Sequence, residues 1–226
     1  KSQGEEMNTR ENILARLRGS LGRNAENGAH GRAIINEYLA AHTKGPQPKI
    51  SGDLLARFCE ESKKLSSSVD EVTSLRDVPQ AVARYLAEHK LPTQAVCWPE
   101  FASLDWRGAQ LDVASRTVDG RDPVGITGCH SAIAETGTLI LCSSPLTPAA
   151  LSLLPETHIV IVPAGCIVGV MEDAWQRVRT EVSTGKAGWP RAINFISGPS
   201  RTGDIEQTIV LGAHGPYRVH IVIVRE

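Results

Sequence analysis

Three short stretches of this chain gather the residue types that bind or transfer small polar molecules. Ser197 to Glu206 reads SGPSRTGDIE, with one arginine, three hydroxyls and two carboxylates set between the apolar runs Ala192 to Ile196 and Thr208 to Leu211. Arg201 offers a planar fork suited to a carboxylate or phosphate, and Ser197, Gly198, Ser200, Thr202 and a following helix N-terminus can supply further donors. Asp204 and Glu206 dilute a phosphate cradle. Asp204 can orient Arg201 or a histidine, and both acids suit the positive end of a helix. The same residues also make an ordinary reversal, with Gly198-Pro199 as the turn and Thr202 or Gly203 capping a short helix. The segment lacks the Gly-Lys-Ser/Thr ending of a nucleotide-phosphate loop.

The second stretch, Glu135-Thr136-Gly137-Thr138, puts a carboxylate at the entry to an apolar run. Glu135 there can act as a nucleophile toward an acyl group or as a general base, and Gly137 admits close approach to the backbone. The competing reading is a carboxylate that caps or pairs with a neighbouring loop. The third stretch is Gly212-Ala213-His214-Gly215-Pro216. An imidazole held there can donate to a carboxylate or move a proton near neutral pH, or serve as a turn histidine bonded to backbone. Cys129 beside His130 could become a reactive thiolate, although sequence neighbours seldom point at each other.

These loops need rigid elements to hold them. Thr9 to Leu21 has helical spacing of Ile13, Leu14, Leu17 and Leu21, a weaker helix covers Arg32 to Ala41, and Lys44 to Pro48 reads as a stiff linker. Residues 1–48 are therefore expected to form a helical arm whose apolar face needs a partner, and Lys1 to Glu6 contribute nothing that packs. From 49 to 226 the pattern alternates. Leu54 to Lys64, Val78 to His89, Pro148 to Leu154 and Val168 to Val182 are expected as helices, with a short one at Ser131 to Ala134. Ser68 to Val72, Gln94 to Trp98 and Pro123 to Thr127 are expected as strands. TLILC (Thr138 to Cys142) and HIVIV (His158 to Val162) are the kind of run buried on both faces of a parallel sheet. The expectation is an α/β, mostly parallel doubly wound sheet, with its ligand outside the carboxyl ends of the strands. Thr208 to Leu211 and Tyr217 to Val224, flanking GAHGP, suggest a closing hairpin and an antiparallel C-terminal strand.

The chain has 226 residues, with 24 basic and 25 acidic side chains. That balance gives no electrostatic footprint for nucleic acid, no apolar run is long enough to insert in a membrane, and no signal peptide is visible. A cytoplasmic protein is expected. The 5 cysteines are scattered without metal-site spacing, so no metal or cofactor is expected on this chain.

Taken together, GITGCHSAIAETGT (Gly125 to Thr138), SGPSRTGDIE and GAHGP resemble the motifs of the LUD-domain family in order and spacing. The likeness covers Ser51 to Glu226 and extends to the leading helix. Glu135, Thr136, Gly137 and Thr138 match one motif. Ser197, Gly198, Ser200, Arg201, Thr202, Asp204 and Glu206 match the second, and His214, Gly215 and Pro216 the third; Cys129 and His130 fall outside the match. The resemblance implies a NagB/RpiA/CoA-transferase-like fold and a role in oxidising L-lactate to pyruvate alongside two partner proteins that carry the iron-sulfur clusters. This chain would then be an accessory component binding a small anionic ligand, with Glu135 and His214 as the candidates for catalysis. Related CoA transferases use a glutamate to accept the acyl group, so the alternative is a stand-alone transferase-like or sugar-phosphate isomerase-like enzyme using Glu135.

Overall fold

The computed structural model describes residues 9–22, 25–41, 43, 45–185, 188–203 and 210–226. Asp204 and Glu206, and the helix start expected near them, lie outside the described residues. The chain divides into two compact units, Lys1–Gln47 and Pro48–Glu226. The first unit holds α1 (Thr9–Ser20) and α2 (Ala25–Ala41). α2 starts well before Arg32, since Gly28 and Gly31 each cost a helix only about 1 kcal/mol. α1 buries no residue, and Ile13, Leu17 and Leu21 are all more than half exposed.

The second unit runs in chain order α3 (Leu54–Lys64), β1 (Ser68–Val72), α4 (Val78–Glu88), β2 (Gln94–Cys97), β3 (Asp112–Ala114), β4 (Val124–Gly128), β5 (Ser131–Ile133), β6 (Thr138–Cys142), β7 (Thr157–Pro163), β8 (Ile167–Val168), α5 (Met171–Ser183), β9 (Ile193–Ile196), β10 (Arg201–Thr202), β11 (Val210–Leu211) and β12 (Arg218–Val224). Asp53 starts α3 by accepting from the N–H groups of Leu55 and Ala56 at 2.9 and 3.3 Å, which satisfies donors that a helix leaves orphaned. Pro79 sits in the first turn of α4, where its missing N–H costs nothing. The short helix expected over Pro148 to Leu154 is present as a single 3-10 turn at Ala149–Ser152.

Six strands form the main sheet in the order β1-β12-β7-β4-β2-β3, and every pairing in it is parallel. The antiparallel C-terminal strand expected from the sequence is therefore corrected. β12 lies between β1 and β7 and runs parallel to both. Its sequence RVHIVIV explains why: Val219 to Val224 are buried without a break, and a strand that is apolar on both faces belongs in the middle of a covered parallel sheet. Fully buried Ile126, Ile159, Ile161, Ile221 and Ile223 anchor this core, each stabilising it by about 1.5–3 kcal/mol relative to exposure.

A second sheet has the order β8-β5-β6-β9, with β5 antiparallel to β6 and β6 antiparallel to β9. TLILC belongs here rather than to the parallel sheet. Ser131–Ile133 is a strand, not a helix, because it pairs with β6 through Ile133↔Thr138. Glu135, Thr136 and Gly137 therefore lie in the turn of a β5–β6 hairpin, closed by the Gly137 N–H donating to Ile133 at 2.9 Å. α3 packs against β1 and β8, α4 against β12 and β1, and α5 against β5 and β8. Among the described residues no helix is long and apolar enough to cross a membrane.

Candidate functional site

The three motifs meet around the C-terminal end of α3. Gly137 has φ +65 and lies so close to the helix that a Cβ would sit 2.4 Å from the Ser62 nitrogen; the Ser62 hydroxyl donates to its carbonyl at 3.3 Å. Gly198, at φ +84, lies against the next turn, and a Cβ there would come within 2.3 Å of the Leu65 carbonyl oxygen. Arg201 donates to that same oxygen at 3.2 Å and also to the Ser66 hydroxyl. A cation at the carbonyl end of a helix opposes the negative end of its dipole. The third motif is tied to the second by backbone: the Ser200 N–H donates to Pro216 and the Gly212 N–H donates to Ser200, both at 2.9 Å. The short β10–β11 ribbon, with Arg201 opposite Leu211, completes the junction.

Among the described residues, two cavities open at this junction. The first, of about 600 Å³, has Leu65, Met171, Trp175 and Phe195 as walls and the hydroxyls of Thr136, Thr138 and Ser197 as its polar edge. Thr136 donates to Thr138 at 2.8 Å, and the Thr138 and Ser197 hydroxyls are also 2.8 Å apart. Trp175 and Phe195 touch with ring centroids at 5.6 Å. None of these lining side chains is charged.

The second cavity, of about 760 Å³, contains His214 and Gly215 together with Glu156, Tyr217 and Arg218. The Arg218 guanidinium lies over the Tyr217 ring at 4.7 Å from its centroid, and the Arg218 backbone N–H donates to the Glu156 backbone carbonyl at 3.0 Å. Here a cation, an imidazole and a carboxylate face one space. Arg218 and Thr157 open β12 and β7, so this cavity lies at the amino edge of the main sheet, opposite the carboxyl edge expected to hold the ligand. Sequence reasoning missed Arg218 and Glu156. Arg218 lies inside the expected strand Tyr217 to Val224, and only its adjacency to the GAHGP loop could have drawn attention to it.

The remaining candidates are distributed differently. Glu135 is half-buried, its N–H donates to Gly169 at 3.0 Å, and it lines neither cavity. Arg201 also lines neither. Thr202 pairs with Val210 in the ribbon. The structure thus brings Thr136, Thr138 and Ser197 together in one cavity and His214 with Gly215 in another, while Glu135 and Arg201 stand apart. Beyond the motifs, burial, reinforced by the neighbouring Cys166, pushes the Cys129 thiol well above its ordinary value. The His130 ring shares a 2.9 Å hydrogen bond with the Ser131 hydroxyl and its other nitrogen is 3.2 Å from Glu181. Cys129 is therefore a protonated core thiol at neutral pH, not a nucleophile activated by His130.

Comparison with known proteins adds sequence relatives to this geometry. The family model described as LUD domain matches residues 120–224. Lactate utilization protein C from an Exiguobacterium species is 30% identical over 230 residues, covering 96% of this chain and 96% of its own. The protein of the same name from Shouchella clausii is 42% identical over 167 residues, covering 73% of this chain and 70% of its own. Among solved structures, a DUF162 family protein from Deinococcus radiodurans shares the fold with a TM-score of 0.57 at 24% identity, over 78% of this chain and 99% of that one.

Proposed function

The chain belongs to the lactate utilization protein C family, and on that footing we propose that it is an accessory component of L-lactate oxidation to pyruvate. In this reading it binds the small carboxylate in the cavity of His214 and Arg218. In this reading the two electrons and two protons released when lactate becomes pyruvate pass to partner proteins that carry the iron-sulfur clusters.

The observation that carries the reading is the grouping of Arg218, His214 and Glu156 around one open space. A guanidinium offers two parallel donors to a carboxylate. An imidazole beside it can donate to the same anion, and the Glu156 carboxylate can accept from a 2-hydroxyl. A 2-hydroxy acid presents that combination of one anionic group and one hydroxyl donor. The aromatic face of Tyr217 under Arg218 orients the guanidinium without neutralising it.

Titration calorimetry with L-lactate and pyruvate tests this directly. Saturable binding that Arg218→Ala weakens by roughly tenfold or more, as expected for a charge-assisted contact, supports the reading. Equal weak binding of chloride, sulfate and lactate, or unchanged lactate binding in Arg218→Ala, sinks it.

A further inference from the structure

The cavity of Thr136, Thr138 and Ser197 has the wrong chemistry for an anion. Its walls are Leu65, Met171, Trp175 and Phe195, and the motif's own cation, Arg201, is engaged at the end of α3. A carboxylate placed there would meet no counter-charge among these lining side chains.

What the cavity does offer is a chain of hydroxyls and an apolar wall in which the Trp175 and Phe195 rings are inclined at 38°. Thr136 donates to Thr138 at 2.8 Å. The Thr138 and Ser197 hydroxyls are 2.8 Å apart and either can donate; when Thr138 donates, the Ser197 proton is left for a ligand in the cavity. Hydroxyls linked in this sense polarise one another, so the last one is the strongest donor. Ser197 is exposed and lines the cavity. Beside it Trp175 and Phe195 present ring surface, and Met171, 40% exposed, adds a polarisable thioether. A volume of about 600 Å³ lies within the range of small-molecule pockets.

We propose that this cleft binds a neutral planar conjugated ring carrying a carbonyl oxygen, with the ring against Trp175 and Phe195 and the carbonyl accepting from the Ser197 hydroxyl. The site is separate from the carboxylate cavity and does not depend on it. The two cavities share no lining residue, so a ring ligand and a 2-hydroxy acid can occupy the protein together.

The test uses 1-indanone and indane, ring compounds that differ by the carbonyl, in titrations of the full chain followed by the Trp175 indole N–H resonance. Indanone is expected to bind about fivefold tighter than indane, the fold-change of one hydrogen bond. Ser197→Ala is expected to abolish that preference and leave indane unchanged, while Ser197→Thr, which keeps the hydroxyl, restores it. Saturating L-lactate is expected to leave both affinities unaltered. Equal affinity for the two rings in the unsubstituted protein, a preference that survives Ser197→Ala, or no saturable shift of the Trp175 resonance would each overturn the proposal.

Discussion

The Arg201 guanidinium donates to the Leu65 carbonyl at 3.2 Å and to the Ser66 hydroxyl, binding the SGPSR loop to the end of a helix that lies far away in sequence. The contact assigns the motif's most suggestive side chain to holding α3 and the loop together, and through the loop it fixes where Ser197 and the GAHGP segment stand. Replacing Arg201 with alanine is expected to lower unfolding free energy by about 1 kcal/mol, a modest figure because the pair is exposed and screened. Arg201→Lys should recover part of that loss. Urea denaturation of the three proteins measures it, and a loss below a few tenths of a kcal/mol for Arg201→Ala would show the contact to be incidental.

Gly137 is expected to tolerate no side chain. Its φ of +65 disfavours any Cβ, and the added atom would lie 2.4 Å from the Ser62 backbone nitrogen. Gly137→Ala is predicted to cost about 2–4 kcal/mol, combining left-handed strain with forced separation of the hairpin from α3. Gly120, where a Cβ would meet nothing within 4 Å, is the control: Gly120→Ala should change stability by less than about 0.5 kcal/mol. Thermal denaturation of both variants reads the contrast.

Two histidines of the main sheet make stability depend on pH. Burial pushes His158 down to about 3 and His220 down to about 4, from the ordinary 6.5. His158 is hydrogen-bonded to Thr127 and His220 to Ser68, each at 2.8 Å, and His220 stacks on Tyr85. Below pH 6.5 the unfolded chain takes up protons that the folded chain refuses. Their contribution is therefore fully present above about 6.5 and is lost as pH falls toward 4 and 3. Near pH 5 the pair should add about 2.5 kcal/mol per pH unit to the slope of stability against pH, and His158→Gln should remove about half of it. Equal slopes in the two proteins would show that His158 is protonated in the folded state.

Much of the fold was legible because it rests on local pattern. α3, β1 and β6 begin and end where the apolar spacing and the β-branched runs place them. Pairing was less legible. RVHIVIV announces a strand, but its place between β1 and β7 depends on chain segments far removed from it. TLILC could be mistaken for a parallel strand because antiparallel and parallel burial produce the same apolar run. At the site, the motifs were visible as unusual sequence, while their division of labour was not. Gly137 and Gly198 are glycines because a helix backbone lies against them, and Arg201 found its partner 136 residues earlier, at Leu65. Arg218 and Glu156 attracted no notice because each begins or precedes an ordinary strand.

The most direct test of the proposed role is lactate-dependent reduction of an electron acceptor, reconstituted from the proposed iron-sulfur partner proteins with and without this chain. The account predicts that the rate falls at least tenfold when the chain is omitted, and that Arg218→Ala restores it only at raised lactate concentration. A rate unchanged by leaving the chain out would contradict the account.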